Sequence, residues 1–317
     1  MEYRQLGATG TSISAIGFGC GTAGGLMNKG EPREQRAIVE RAVDAGITYF
    51  DTAPNYGEGL SETNLGRVIR ELQVRDRVQI GTKVGLLECD MPDPQAALRT
   101  IFESSLRRLG VEHVDILFLH SQVRFEPDDR SISAPHARTV SRILGKLKSE
   151  GGTQLTGFTA HGDTDAVKEL AYAGEFDVVQ AYFSAANPSS GFAGVSGGQQ
   201  DFGGVVVDAA SAGLGVINIQ PLSAGGLLDQ AHPYARDFTH GRLLNAGARL
   251  ANLAAEWRLD SVYELALRFA LAKPGISCVL VGFSSMEQLE QGLAWSERGG
   301  LAEGYVQRVL DVVGSHH

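Results

Sequence analysis

The chain has 317 residues, with 28 lysines and arginines against 37 aspartates and glutamates, a net charge of −9. No basic footprint exists beyond short pairs such as Arg107-Arg108, which excludes a nucleic-acid binder. No run approaches the roughly eighteen consecutive apolar residues of a membrane span, and 43% apolar with 21% charged residues fits a folded globular chain.

Met1-Glu2-Tyr3-Arg4 is not a basic start followed by an apolar stretch, so no secretory signal is expected and the location reads as cytoplasmic. Cys20, Cys89 and Cys278 are widely spaced and form no CxxC pair, which supports neither a disulfide framework nor a zinc site. Glycine is abundant, at 40 residues. That is nearly twice the usual share of about 7%, and it implies many tight turns and close backbone approaches. At about 150 residues per domain the length allows two domains, although α/β barrels of this size are usually one.

In chain order, Tyr3–Leu6 and Ser12–Ser14 with Thr9-Gly10 between them read as a hairpin, expected to lie across a barrel floor. Apolar runs then recur at Ile16–Gly19, Ile47–Asp51, Val78–Lys83, Val114–His120, Thr156–Thr159, Val178–Tyr182, Val216–Gln220 and Cys278–Val281. Several are apolar almost throughout, as parallel strands covered on both faces require. Between them lie amphipathic helices. Leu65, Val68, Ile69 and Leu72 form one buried stripe, as do Val140, Ile143, Leu144 and Leu147. Asp93-Pro94 offers a cap with proline at the first helical position, Gly110 ends that helix, and Ser261 to Glu264 reads as a capping box. Gly46 and Gly151 are suited to closing other helices.

Eight such strand–helix units predict an α/β fold, a (β/α)8 TIM barrel with an N-terminal β-hairpin and extra helices near the last two crossings. No Pro- or Ser-rich linker divides the chain, so residues 1–314 are expected to form a single domain, and 315–317 resemble an expression-tag remnant. Long connections follow three strands, at Ser121–Pro135, Phe183–Gln200 and Pro221–Arg242. Phe125, Phe183, Phe192, Tyr234 and Phe238 on them either pack the loops together or wall an apolar substrate site.

Chemistry collects at three successive strand ends. Asp51 closes the second barrel strand with Tyr56 just beyond it, Lys83 closes the third, and His120 closes the fourth. Taken singly, an aspartate there is more often a cap, and a histidine a core or rim residue. A lysine closing a buried strand needs a partner. Because neighbouring strand ends converge on one mouth, the four can meet and deliver a proton. Tyrosine, with an ordinary pKa of about 10, is a weak acid, and an adjacent Lys83 is expected to lower that value. Asp51 would keep Lys83 charged and oriented, and His120 would orient a carbonyl oxygen or assist proton transfer.

Leu6-Gly7, Gly17-Phe18-Gly19, Phe50-Asp51-Thr52-Ala53 with Tyr56-Gly57, Gly81-Thr82-Lys83 and Leu119-His120 resemble the aldo-keto reductase superfamily. So do Gln180, Gln220-Pro221-Leu222 and Gly282 through Gln288-Leu289, and the likeness runs from about residue 3 to residue 295. The resemblance implies a catalytic tetrad of Asp51, Tyr56, Lys83 and His120, and NADPH bound extended on the barrel without a Rossmann domain. Hydride would pass from the nicotinamide to an aldehyde or ketone, or back from the alcohol, with Tyr56 donating the proton. The cofactor contacts it implies are Gly21, Thr22, Thr159, His161, Gln180, Gln220, Leu222, Gly225, Gly282, Ser284, Ser285 and Gln288.

The chain departs from the family pattern at the cofactor grip. Thr159-Ala160-His161 stands where Ser-Asn is common, with His161 as a substitute, and Ile219 stands where an aromatic often stacks on the nicotinamide. Gly282 to Gln288 contains no cation for a 2′-phosphate and includes Glu287, while Gln291-Gly292 replaces a later Glu-Asn pair. Discrimination between NADPH and NADH is therefore expected to be weak, with NADH possible.

Gly19 to Gly24 satisfies GxGxxG, but no helix opens within it and Asp51 lies beyond the roughly 20-residue spacing of a Rossmann acid. The glycines read instead as letting the first loop approach a ligand. His113 and His120 sit at odd spacing on one strand and His136, His161, His232 and His240 are scattered, so no catalytic metal is expected. Two alternatives stand beside the reductase: a nicotinamide-cofactor-binding regulatory protein on the same scaffold, and a barrel lyase or isomerase without nicotinamide. A small-molecule carbonyl or alcohol is the expected partner; the substrate and the oligomeric state are not legible.

Overall fold

Short apolar strands alternating with helices close on themselves in the computed structural model, which describes residues 1–22, 24–197, 199–228 and 240–314. The N-terminal hairpin pairs β1 (Tyr3–Gln5) with β2 (Ser12–Ser14) antiparallel. The barrel consists of β3 (Ile16–Gly19), β4 (Tyr49–Asp51), β5 (Gln79–Val84), β6 (Val114–Leu119), β9 (Thr153–Thr159), β10 (Val178–Tyr182), β11 (Gly215–Ile219) and β12 (Cys278–Gly282). All eight are parallel, and β12 pairs back onto β3. Two further strands, β7 (Gln122–Arg124) and β8 (Ser131–Ser133), form a small parallel sheet inside the expected loop 121–135.

The helices are α1 (Leu26–Lys29), α2 (Pro32–Asp44), α3 (Leu60–Leu72), α4 (Pro94–Leu109), α5 (Ala134–Ser149), α6 (Thr164–Tyr172), α7 (Val205–Ser211), α8 (His240–Glu256), α9 (Val262–Ala272), α10 (Met286–Glu297) and α11 (Glu303–Gly314). Beside the short α1 of the first loop, α8 and α11 are additions to the barrel plan. Asp93 caps α4 by accepting from Ala96 N, and Gly110 ends it at φ 67°. Gly46 and Gly151 take φ 90° and 82°, as expected of helix-closing glycines. The capping box at α9 is only half formed. Ser261 accepts from Tyr263 and Glu264 N–H, but Glu264 accepts from Asp260 N instead of returning to Ser261. The buried Glu264 carboxylate is also bound by Arg268 and Arg298.

Alternation along the strands splits the core. Leu6, Ile13, Tyr49, Ile116, Phe118, Leu155, Val178, Ile217 and Cys278 fill the barrel interior, with Leu6 and Ile13 of the hairpin region closing its floor. The larger cluster fills the space between strands and helices, where Leu65, Val68 and Ile69 of α3 and Val140, Leu144 and Leu147 of α5 lie. At Gly66 an added Cβ would stand 2.2 Å from Leu109 O, so the glycine permits the close passage of α3 over the end of α4.

Of the five loop aromatics, Phe183 is buried and stacks on Phe269 of α9, and Phe192 packs beside both. Phe125 is exposed on the surface. These three pack loops or face solvent and do not line the cleft described below. Tyr234, Phe238, His232 and the 315–317 tail lie outside the described residues.

Candidate active site

On every barrel strand alternate residues face the axis, and the last of them reaches the mouth. Tyr49 and Asp51 are such a pair on β4, Gly81 and Lys83 on β5, Ile116 and Phe118 on β6 with His120 following, and Val178 and Gln180 on β10. Registers Asp51↔Gly81, Lys83↔Phe118 and Gln180↔Thr159 bring these strand ends together. Tyr56 enters from the turn between β4 and α3, which begins at Leu60.

Lys83 is buried and donates to the Asp51 carboxylate through Oδ1 and to Thr52 O at 2.7 Å. Its ammonium lies 4.8 Å from the centroid of the Tyr56 ring. The rings of Tyr56 and His120 meet edge-on with centroids 6.2 Å apart. The four residues expected to meet do meet.

Asp51 has further partners that the sequence did not announce. Its Oδ2 accepts from Tyr49 Oη at 2.9 Å and from Gln180 Nε2 at 2.5 Å. Gln180 Oε1 in turn accepts from Thr159 Oγ1 at 3.3 Å. Behind Lys83, Thr82 donates to the buried Glu62 at 2.6 Å, and Arg108 closes the charge from α4 at 2.7 Å.

The electrostatics correct one expectation. Burial raises the Tyr56 pKa, and the pull of Lys83 in the opposite direction does not overcome it; Asp51 adds to the rise. The resting phenol is therefore no stronger an acid than ordinary tyrosine. It stays protonated at neutral pH, and Lys83 stabilises the phenolate only once the proton has left. Lys83 itself is raised, because Asp51 and Tyr56 together outweigh the burial that opposes its charge. His120 falls to about 3 through burial, with Lys83 and His161 adding to the shift. Neutral at physiological pH, it can donate a hydrogen bond but is no source of protons.

These groups open into a cleft of about 1000 Å³, at the upper end of ordinary ligand sites. It runs from Tyr56 and His120 past Thr159, Gln180 and Tyr182, over Ile219 to Leu222 and Gly225, and on to Gly282, Ser284, Ser285 and Gln288 at the start of α10. Gly21 and Thr22 line it from the first loop. A Cβ at Gly24 would meet the Gly282–Phe283 backbone at 2.7–3.0 Å, so that glycine lets the first loop close against the exit of β12. Gln220, Ser223 and Ala224 all hold positive φ, at 53°, 51° and 51°. Non-glycine residues rarely adopt this conformation, and here it bends the β11 exit along the cleft.

Eleven of the twelve expected cofactor contacts line this cleft. His161 does not; its ring packs edge-on against Tyr182 with centroids 6.0 Å apart. The sequence reading missed Tyr182, the next inward residue after Gln180, which strand alternation would have found. It also missed Asp260, Tyr263 and Trp295 at the far end, which carry no local signal. Among the described residues no group of three or more His, Cys, Asp or Glu could hold a metal ion.

The sequence profile of the Aldo/keto reductase family matches residues 15–309. The chain belongs to that family. This aldo/keto reductase is 31% identical over 301 residues to an L-galactose dehydrogenase of Arabidopsis thaliana, covering 93% of this chain and 88% of the relative. It is 28% identical over 323 residues to a D-threo-aldose 1-dehydrogenase of a Pseudomonas species, covering 91% of each. The fold matches an aldo-keto reductase of Klebsiella pneumoniae crystallised with NADPH, with TM-score 0.73 and 22% identity over 99% of this chain and 96% of the other. Among the described residues of this aldo/keto reductase no helix is long and apolar enough to cross a membrane.

Proposed function

We propose that this aldo/keto reductase moves hydride between NADPH or NADH and the carbonyl carbon of a small aldehyde or ketone, or runs the reverse reaction on the alcohol, with Tyr56 exchanging the proton. The supporting observation is the buried Lys83–Asp51 pair set behind a protonated Tyr56 and a neutral His120 at one end of the cleft. The cleft fits a dinucleotide. It is continuous from the tetrad to the Ser285-capped start of α10, where backbone N–H groups face an anion favourably.

Bound there, the reduced nicotinamide supplies the hydride. Thr159, Gln180 and Ile219 line the ring end, and Gly282, Ser284, Ser285 and Gln288 line the other. Tyr56 holds a proton at Oη for the substrate oxygen, and His120 orients that oxygen by hydrogen bonding. As charge builds on the oxygen Tyr56 releases its proton, and Lys83 stabilises the phenolate left behind. Asp51 keeps Lys83 charged in surroundings that would otherwise favour the neutral amine.

The two relatives compared above are named for aldose oxidation, so polyhydroxylated aldehydes in their cyclic or open form are the substrates to test first. A regulatory protein on the same scaffold would bind cofactor and turn over slowly. A cofactor-oxidation and cofactor-reduction screen across sugars, aldehydes and quinones decides between the two. Turnover that disappears in Tyr56→Phe supports the enzyme. Tight cofactor binding with no turnover on any class sinks it.

A further inference from the structure

Tyr49 is a wholly buried titratable group that the mechanism above leaves unused. It precedes Asp51 by two residues on β4, so both side chains point into the barrel. Its ring lies among Ile116, Phe118, Val178, Ile217 and Cys278. Two neighbouring strands make room for it. A Cβ at Gly81 would stand 2.3 Å from Tyr49 Oη, and one at Gly17 would stand 2.9 Å from Cδ1. A phenylalanine would fill nearly the same volume, so packing does not account for the hydroxyl.

That hydroxyl donates to Asp51 Oδ2 at 2.9 Å, with the Gln180 side chain also close enough to act on it. Burial and the Asp51 charge push the Tyr49 pKa well above the ordinary range, with the thiol of Cys278 adding to the rise. The group is therefore a permanent donor. Oδ2 receives Tyr49 from below and Gln180 from β10, which leaves Oδ1 for Lys83. Removing the lower donor leaves Oδ2 held by Gln180 alone, loosens the carboxylate about its Cβ–Cγ bond and returns negative charge toward Tyr56. Asp51 already acts to raise the Tyr56 pKa, as does the buried Cys20 thiol, and Lys83 opposes both.

We infer that Tyr49 is a positioning residue of the reaction: by donating to Asp51 Oδ2 from inside the barrel it holds Oδ1 on Lys83, and so keeps the ammonium at the Tyr56 ring. The inference rests on the reading of Tyr56 as the proton-exchanging group.

The test is Tyr49→Phe in the full chain, assayed in the alcohol-oxidising direction across pH, with Asp51→Asn and the double variant alongside. The expected result is a roughly tenfold fall in kcat with cofactor affinity within about twofold, and an ascending limb of the pH profile, set by loss of the Tyr56 proton, moved upward by about half a unit or more. Because Tyr49 acts through Asp51, its substitution should cost much less in the Asp51→Asn background. An unmoved pH limb, or effects that simply multiply in the double variant, overturns the inference even if kcat falls. Should Tyr49→Phe fail to fold, Tyr49→Met keeps the site apolar and adaptable and gives the same readouts. Full activity in Tyr56→Phe would instead overturn the underlying proton-donor assignment. Loss there with an unchanged Tyr49→Phe overturns only the inference about Tyr49.

Discussion

The Lys83 ammonium lies 4.8 Å from the centre of the Tyr56 ring, while its own hydrogen bonds go to Asp51 and to the Thr52 carbonyl. The cation is thus anchored by the strand that carries Asp51 and is held against a phenol that burial keeps neutral. On the proposed reading this arrangement would favour the phenolate during reaction and does not prepare it beforehand. Replacing Tyr56 by phenylalanine removes the proton and little volume. Carbonyl reduction is expected to fall by about 10²–10⁴-fold, the usual worth of a positioned acid. Cofactor affinity, followed by nicotinamide fluorescence, should stay within about threefold. Unchanged turnover excludes Tyr56 as the acid.

Substituting Lys83 bears on stability as well as rate. Lys83→Met leaves the Asp51 carboxylate inside the barrel without a cation, and breaking a buried pair in this way costs about 3–5 kcal/mol. Asp51→Asn added to Lys83→Met should recover a large part of that loss, because no uncompensated charge remains. Urea unfolding of the two variants measures the difference. Equal stability of both would mean that the carboxylate was never charged.

Much of this was legible in the sequence, and the reason is periodicity. Apolar runs of four to seven residues alternating with helix-period stripes require a parallel sheet covered on both faces, and the ends of β3 and β10 fell where the apolar pattern stopped. Asp51, Lys83 and His120 could be found because each breaks an apolar run at a corresponding place. Tyr49 could not be singled out, since a tyrosine within an apolar run looks like core until its hydroxyl is seen against Asp51. Asp260 and Trp295 are joined across two helical connections by a 2.9 Å bond from the indole nitrogen, which no local pattern announces. The acidified phenol was expected from proximity to Lys83 alone, and that reasoning left out the opposing effect of burial. The small β7–β8 sheet was missed because three-residue strands carry almost no periodic signal.

His120 makes acid stability a second readout of the site. Its folded value of about 3 lies below the ordinary value near 6.5, so the unfolded chain takes up this proton first. As pH falls from about 6.5 toward 3 the unfolded state is increasingly favoured, and above 6.5 the contribution is constant. The expected loss is on the order of 3 kcal/mol once the partly open face of the ring is discounted. Stability measured by urea midpoint should fall less steeply over that window in His120→Asn. An identical slope in the variant would show that His120 is not held neutral in the fold.

On the proposed reading, cofactor choice would be decided at the other end of the cleft. There Ser284 donates to Gln288 Oε1 through both its N–H at 2.9 Å and its hydroxyl at 2.7 Å, so the Gln288 side chain is turned back on its own loop. Asp260 and Glu287 line the same end, and none of the described lining residues there is lysine or arginine. Among the described lining residues a 2′-phosphate would meet the Glu287 carboxylate and an Asp260 already paired with Arg298 at 3.0 Å, with no lysine or arginine in the lining itself, whereas a 2′-hydroxyl meets acceptors it can donate to. We predict that NADPH and NADH bind with affinities well within a thousandfold of each other, a gap of about 4 kcal/mol. Placing a cation at the turn by Gln288→Arg should tighten NADPH about 10–100-fold and leave NADH within about threefold. Titration of both cofactors against both proteins measures this. A wild-type preference for NADPH above a thousandfold would require a cation at the phosphate and would overturn the assignment of this end of the cleft.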